Sequence, residues 1–314
     1  MKRLLILLLI FAMILGATAC NGSKPAITPS KPTDETNTTQ TPDQTGESSE
    51  KPVTDESTSP VTAANSVSLD EQLLVDQEGV AITLTGLDFS DDYYAGKIKV
   101  LIENDSDKNI NVGIWAIAIN DIMIKGDLYA NVESGKKLNE TITFDKGDFA
   151  DAGIEVIKTI DVIFDVFDSG TYEDIFVTEL ISLTTDGSED YVQVYFAGDQ
   201  LVFDQDGIKL VVRDFVEYEH EHYGAGVNYY VENNSENHVY ITAGETSING
   251  FMVEGGLYVK MLAGAKAYTS MDFVAEELVE NDIYVITEVE TSYSVYNPDT
   301  YENYFIIDNV KTNF

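Results

Sequence analysis

The stretch LLVDQEGVAI, Leu73–Ile82, is written a second time as LVFDQDGIKL, Leu201–Leu210. Each version places an acidic-Gly pair between two short alternating runs, the mark of a tight hairpin. The echo does not stop there. Asp76-Gln77-Glu78-Gly79 matches Asp204-Gln205-Asp206-Gly207 at an offset of 128, and one added residue then makes the offset 129. At that spacing Glu103-Asn104-Asp105-Ser106 matches Glu232-Asn233-Asn234-Ser235, and Asn120 matches Asn249. Gly126, Leu128 and Tyr129 match Gly255, Leu257 and Tyr258; Gly135, Lys137 and Phe144 match Gly264, Lys266 and Phe273; Tyr172-Glu173 matches Tyr301-Glu302. A constant offset over a hundred residues reads as a duplicated domain, because a period this long is domain-sized rather than a solenoid repeat.

Each copy reads as strands. In AGKIKVLIEN, Ile98, Val100 and Ile102 share one face and Lys97 and Lys99 the other, the period-2 pattern of a half-buried strand. Val227, Tyr229 and Val231 repeat it in the second copy, as do Val162, Phe164 and Val166 against Tyr293 and Val295. Helical candidates are short: Lys146–Ala152, and AEELVEN from Ala275. About seven strands per copy predict an all-β chain of two tandem immunoglobulin-like β-sandwich domains, over 67–186 and 187–314. The antibody-type disulfide is impossible, since Cys20 is the only cysteine.

That cysteine belongs to an address. MKRLLILLLIFAMILGATAC has a basic start at Lys2 and Arg3, an apolar run too short for a membrane span, then small residues before Cys20. Ala17-Thr18-Ala19-Cys20 resembles a bacterial lipobox, although Ala17 stands where Leu is usual. The resemblance implies a lipoprotein signal peptide over 1–19 and a diacylglycerol anchor on Cys20, at the outer face of the cytoplasmic membrane. Residues 21–66 are Ser, Thr, Pro and acidic residues with almost nothing apolar, a composition expected to stay disordered. Such a tether would span roughly 35–40 Å.

The motif pattern D-x-(E/D)-G, (I/V)-E-N-(D/N)-S, G-x-L-Y, G-x-K and Phe resembles the uncharacterised immunoglobulin-like domains of clostridial and other Gram-positive surface lipoproteins. The resemblance covers both copies, from about Leu69 to Phe314. It implies a β-sandwich at the cell surface and brings no catalytic residues with it.

The charge narrows the function. Eighteen basic residues face 55 acidic ones, a net charge of −37 that becomes −39 if Lys2 and Arg3 are removed with a leader. Such a field repels nucleic acid phosphates, so a nucleic-acid partner is not expected. Nucleophile and nucleotide motifs are missing from the chain: there is no G-x-S-x-G, no P-loop and no thiol beyond Cys20. Ser134-Gly135-Lys136-Lys137 matches S-x-x-K, but the second copy has Ala263 in place of the serine, and a strand-connecting turn explains it. No complete calcium loop occurs, and DQDG at Asp204–Gly207 fits a tight turn. His220 and His222 lie in VEYEHEHYGAG with Glu219 and Glu221, and would share a side of an extended segment; these four are the candidate divalent-metal ligands, against the plainer reading of a polar hairpin tip. Trp115, in the run NVGIWAIAIN, reads as part of a central strand buried on both faces. The expected function is therefore non-enzymatic: a surface lipoprotein that binds a protein, glycan or small ligand, or serves as an accessory subunit of an envelope complex, with no resident cofactor. The alternatives are a divalent-metal module and, less well supported, an envelope enzyme using carboxylate chemistry.

Overall fold

In the first half, alternation of apolar and polar residues produces three long strands at the start: β1 (Gln72–Gln77), β2 (Val80–Asp88) and β3 (Tyr94–Asn104). β4 (Ile110–Ile119) follows, then the short strands β5 (Ile122–Met123), β6 (Gly126–Asp127) and β7 (Tyr129–Val132). β8 (Lys136–Asp145) leads into helix α1 (Lys146–Asp151), and β9 (Thr159–Asp168), β10 (Asp174–Val177) and β11 (Ile181–Thr184) complete the half. The second half repeats the order: β12 (Gln200–Gln205), β13 (Ile208–Glu217), β14 (Tyr223–Asn233), β15 (Val239–Ile248), β16 (Phe251–Val253), β17 (Gly255–Gly256), β18 (Tyr258–Met261), β19 (Lys266–Val274), helix α2 (Ala275–Glu280), β20 (Glu288–Tyr296) and β21 (Asn303–Asn313). This computed structural model describes residues 67–90, 93–218 and 222–314. Cys20, the leader and the Ser/Thr/Pro-rich segment lie outside the described residues. The all-β class and both short helices match the sequence reading. The halves hold more strands than the seven expected because several are only two to four residues long.

The pairings are repeated as well. β1-β2-β3-β8-β6 form one antiparallel sheet, and β12-β13-β14-β19, with β17 on β19, form its counterpart. β9 joins β4, β10 and β11 in the facing sheet of the first half, as β20 joins β15 and β21 in the second. Two apolar clusters fill the halves. Ile98, Val100, Ile102, Phe144 and Phe164 lie in the first; Val227, Tyr229, Val231, Phe273 and Tyr293 lie in the second. Tyr229 and Tyr293, both fully buried, satisfy each other through their hydroxyls at 3.1 Å.

The duplicated motifs meet one another in space. Glu78 and Gly79 both have positive φ (52° and 77°), as do Asp206 and Gly207 (51° and 83°). That is the requirement of the type I′ hairpin turn. Each turn then docks on the acidic corner motif: Asp105 N donates to Gly79 O at 2.7 Å, and Asn234 N to Gly207 O at 2.8 Å. A Cβ on Gly79 would approach Ser106 N to 3.1 Å, so glycine is needed for both its φ and its closeness. Behind the corner, buried Asn104 donates through Nδ2 to Lys108 O and Val132 O and accepts at Oδ1 from Ser106. Asn233 makes the same bonds to Asn237 O, Leu262 O and Ser235.

Candidate functional site

The residues described belong to one compact unit, and its most elaborate region is the joint between the halves. Three devices build it. The first is a shared sheet edge. Ile122 of β5 pairs in parallel with Lys266 of β19, and Lys266 N donates to Asp121 O at 2.7 Å, which runs the two sheets into one of eleven strands.

The second is the connecting segment, residues 185–199. Gln193 Nε2 donates to Ala152 O and Gly153 O, while its Oε1 accepts from Asn120 Nδ2. Tyr195 OH donates to Asn120 O, and the Lys266 ammonium sits 4.4 Å above the Tyr195 ring. Burial, with Asp121 close by, pushes the Tyr195 hydroxyl up to about 12. Phe196 N then donates to the Tyr268 hydroxyl at 2.9 Å, and Arg213 lies 4.4 Å over the Tyr268 ring. Arg213 is the one arginine of the sequence beyond Arg3.

The third device is a seam of side chains. The register of β4 against β9 shifts between Ile114 and Ala116, so Ala116, Ala118 and Ile163 face outward against Leu262 and Ala265 of the second half. Trp115 borders this seam. Lys260 Nζ stands 4.1 Å over its ring and 5.4 Å over Tyr240, and donates to Trp115 O at 2.7 Å. Burial lowers the Lys260 pKa, and Asp165 opposes that fall. Asp165 is pushed the other way: burial raises its carboxyl pKa, its own backbone N–H and Lys260 pulling it back. Its buried Oδ1 has no hydrogen-bond partner among the described residues, and a Cβ at Gly113 would come within 2.5 Å of it. A carboxylate and an ammonium share this seam partly desolvated, each shifted toward its neutral form.

Next to the seam runs a groove of about 660 Å³ between the halves. Its polar lining includes Lys125, Asp148, Asp151, Arg213 and Asp214, with Tyr268 as a wall. Burial, then Asp145 and Asp151, raise the Asp148 carboxyl. A smaller groove of about 310 Å³ adjoins it through Met123, Ile124, Lys125 and Tyr268, and reaches Trp115 and Lys260. Two cationic and three acidic side chains around one concavity suit a polar ligand carrying both signs of charge.

His238 lies beside Trp115, its ring 5.8 Å from the indole and its Nδ1 accepting from Ala263 N at 3.0 Å. Burial lowers its pKa from 6.5, against the pull of Asp299 and Glu179. The unfolded chain therefore takes up this proton at a higher pH than the folded one. His238 contributes fully to stability above about pH 6.5, and that contribution shrinks as the pH falls through the folded value. Thermal melts of the parent chain and His238→Gln, followed by circular dichroism, are expected to converge between pH 7.5 and 5. A constant difference across that range would remove His238 as a titrating element of the joint.

Of the residues singled out from sequence as metal ligands, Glu219, His220 and Glu221 lie outside the described residues, as does Cys20. His222 is exposed, with its ring 4.5 Å from that of Tyr223 and its carbonyl accepting from Ala275 N. Among the described residues no three His, Cys, Asp or Glu side chains form a metal-holding group. Ser134 sits in an exposed turn and donates to Ser106 O. Trp115 is half-buried at the joint rather than in either core. Sequence reasoning missed Lys260, Asp165 and Arg213, although one arginine beyond Arg3 among so many acids was a visible signal.

No family model and no curated protein matches the chain. Solved structures do. The chain is similar to the YadV chaperone at 11% identity, over 69% of this chain and 92% of that one, with a TM-score of 0.22. It is also similar to the Salmonella enterica SafA pilin in complex with the SafB chaperone (12% identity, 69% and 89% covered, TM-score 0.20). A third is a protein of unknown function from Porphyromonas gingivalis (10% identity, 70% and 91% covered, TM-score 0.19). Scores this low leave the fold to be read from the chain's own strands.

Proposed function

We propose that this chain is a non-enzymatic, lipid-anchored surface protein whose two immunoglobulin-like repeats act together as one binding module. In this reading Cys20 carries the diacylglycerol, residues 21–66 hold the module off the outer face of the membrane, and the repeats span 67–186 and 187–314. The chain then belongs with the surface lipoproteins its motifs resemble. The lipobox-like leader and the tether composition support the location, and the duplicated strand order supports the repeats.

The observation that carries the binding role is the joint. Repeats that only lifted a payload would need no more than a flexible hinge. Here a connecting segment bonded at both ends, a shared sheet edge and a seam of side chains fix one half against the other. They thereby hold Lys125, Arg213, Asp148 and Asp214 around a single groove. A groove preorganised in this way loses little ordering entropy on binding.

The test is photo-crosslinking on intact cells, with reactive side chains placed at Lys125 and Asp214 in the groove and at Asp105 on an exposed corner. Recurrent capture of one protein or glycan from the groove positions, but not from Asp105, is the expected result. Capture from Asp105 alone, or equal capture from all three, would sink the assignment of the groove.

A further inference from the structure

The duplication gives every surface of the first half a counterpart in the second, and one such pair differs sharply in what covers it. The tip of the first half is made by the turn at Asn120–Asp121 and the loop 153–158. Asn120 ties them together: Nδ2 donates to Val156 O, and Oδ1 accepts from Lys158 N and Thr159 N. The tip of the second half is built identically, with Asn249 Nδ2 donating to Val285 O and Oδ1 accepting from Thr287 N and Glu288 N. In the first half the connecting segment and the Lys266 edge of β19 lie over this tip. Ile122 is 0% exposed and Val156 8%. Their counterparts at the same offset, Phe251 and Val285, are 48% and 68% exposed. Met252 and Tyr284 extend the open patch, and a groove of about 320 Å³ beside it is lined by Leu278, Ile283 and Ile286. At Phe251 and Val285 the side chains stay apolar although no described residue covers them, which is unusual for an exposed surface.

The other face of the same joint is also present in duplicate. The edge that seals the first tip is at Lys266, and its counterpart is Lys137 on β8. β8 pairs with β3 on one side, while on the other it is paired only at Thr143 and Phe144, by β6. The stretch around Lys137 is thus an unpaired edge among the described residues, ready for the parallel bridge that Lys266 makes with Ile122. The flanking positions are complementary in charge. Ala265 and Ala116, apolar partners in the internal seam, correspond to Lys136 and Glu245. Glu133 replaces Leu262, so this seam is more polar and the contact weaker than the internal one.

We propose that the open tip of the second half receives the Lys136–Lys137 edge of a second copy of this chain, repeating between molecules the joint found within one. The contact is heterologous and does not close on itself, so it builds short head-to-tail rows.

The test uses the purified full-length chain in two forms, Lys137→Cys and Phe251→Cys, at positions equivalent to the paired Lys266 and Ile122. Both sites are on the surface, so neither substitution threatens the core. Under mild oxidation, a disulfide-linked dimer is expected in the mixture of the two forms and in neither form alone. Adding Val285→Asp to the Phe251→Cys chain is expected to reduce the mixed dimer at least fivefold. Cys20 is replaced by serine in every sample, so that no other thiol can form a bridge. Dimerisation of Phe251→Cys alone would mean a tip-to-tip contact and overturn the proposal. So would the absence of a mixed dimer, or its persistence with Val285→Asp.

Discussion

Replacing Phe144 by alanine is expected to lower the unfolding free energy by about 3–5 kcal/mol. Phe144 is fully buried on β8, 5.5 Å from the Phe149 ring, and a Cβ on Gly126 would already stand 3.6 Å from it. The backbone around it is fixed on both sides, by β3 and by β6, so the void left by the ring has little means of collapsing. Thermal melting should fall by roughly 10 °C or more. Phe273, its counterpart in the second core, is buried to the same extent between β14 and β17 and should behave alike. A loss below about 1 kcal/mol at either position would contradict the packing described here.

Asn104→Asp is expected to be as damaging although it changes one group. Asn104 Nδ2 donates at 2.8 and 2.9 Å to two carbonyls, at Lys108 and Val132, in a site closed to water. The substitution turns that donor into an acceptor facing two acceptors and places a charge in a site closed to water. The cost is about 3 kcal/mol or more at neutral pH. A new carboxyl in this place should have a raised pKa, because only its protonated form can donate. Its folded value then lies above its unfolded value, so the damage is fully present above the folded value and eases as the pH falls through it. Denaturant unfolding at pH 7 and pH 4.5, with Asn104→Ala as reference, reads this directly. A deficit that does not shrink at pH 4.5 relative to Asn104→Ala would refute the account.

The strands were legible because each half has one face in its core. Period-2 alternation then puts Ile98, Val100 and Ile102 in a line, and the buried set matches it. The hairpins were legible because few residues tolerate positive φ, and Glu-Gly and Asp-Gly stand where two such residues are required. The joint was not legible, because it depends on residues distant in the chain whose neighbours are decided only by the fold. NVGIWAIAIN shows the boundary between the two cases. Its apolar residues on both faces correctly indicate a strand covered twice, but nothing local says that the second cover is Leu262 and Ala265. The counterpart stretch YITAGETSI has Gly244, Glu245 and Ser247 on that side, so the copies differ where one is covered and the other is not. The groove was hidden for the same reason: Lys125 and Arg213 are 88 positions apart and converge only because β5 meets β19.

One feature of the seam has an optical consequence. The sequence holds a single tryptophan, and Trp115 lies in neither core but beneath the Lys260 ammonium where the halves meet. Its emission is therefore a gauge of the seam alone. Parting of the halves would wet the indole and shift its fluorescence to the red while the strands of each half, and the circular dichroism they produce, stayed intact. A chain that comes apart at its waist before it melts would announce the event in one colour change.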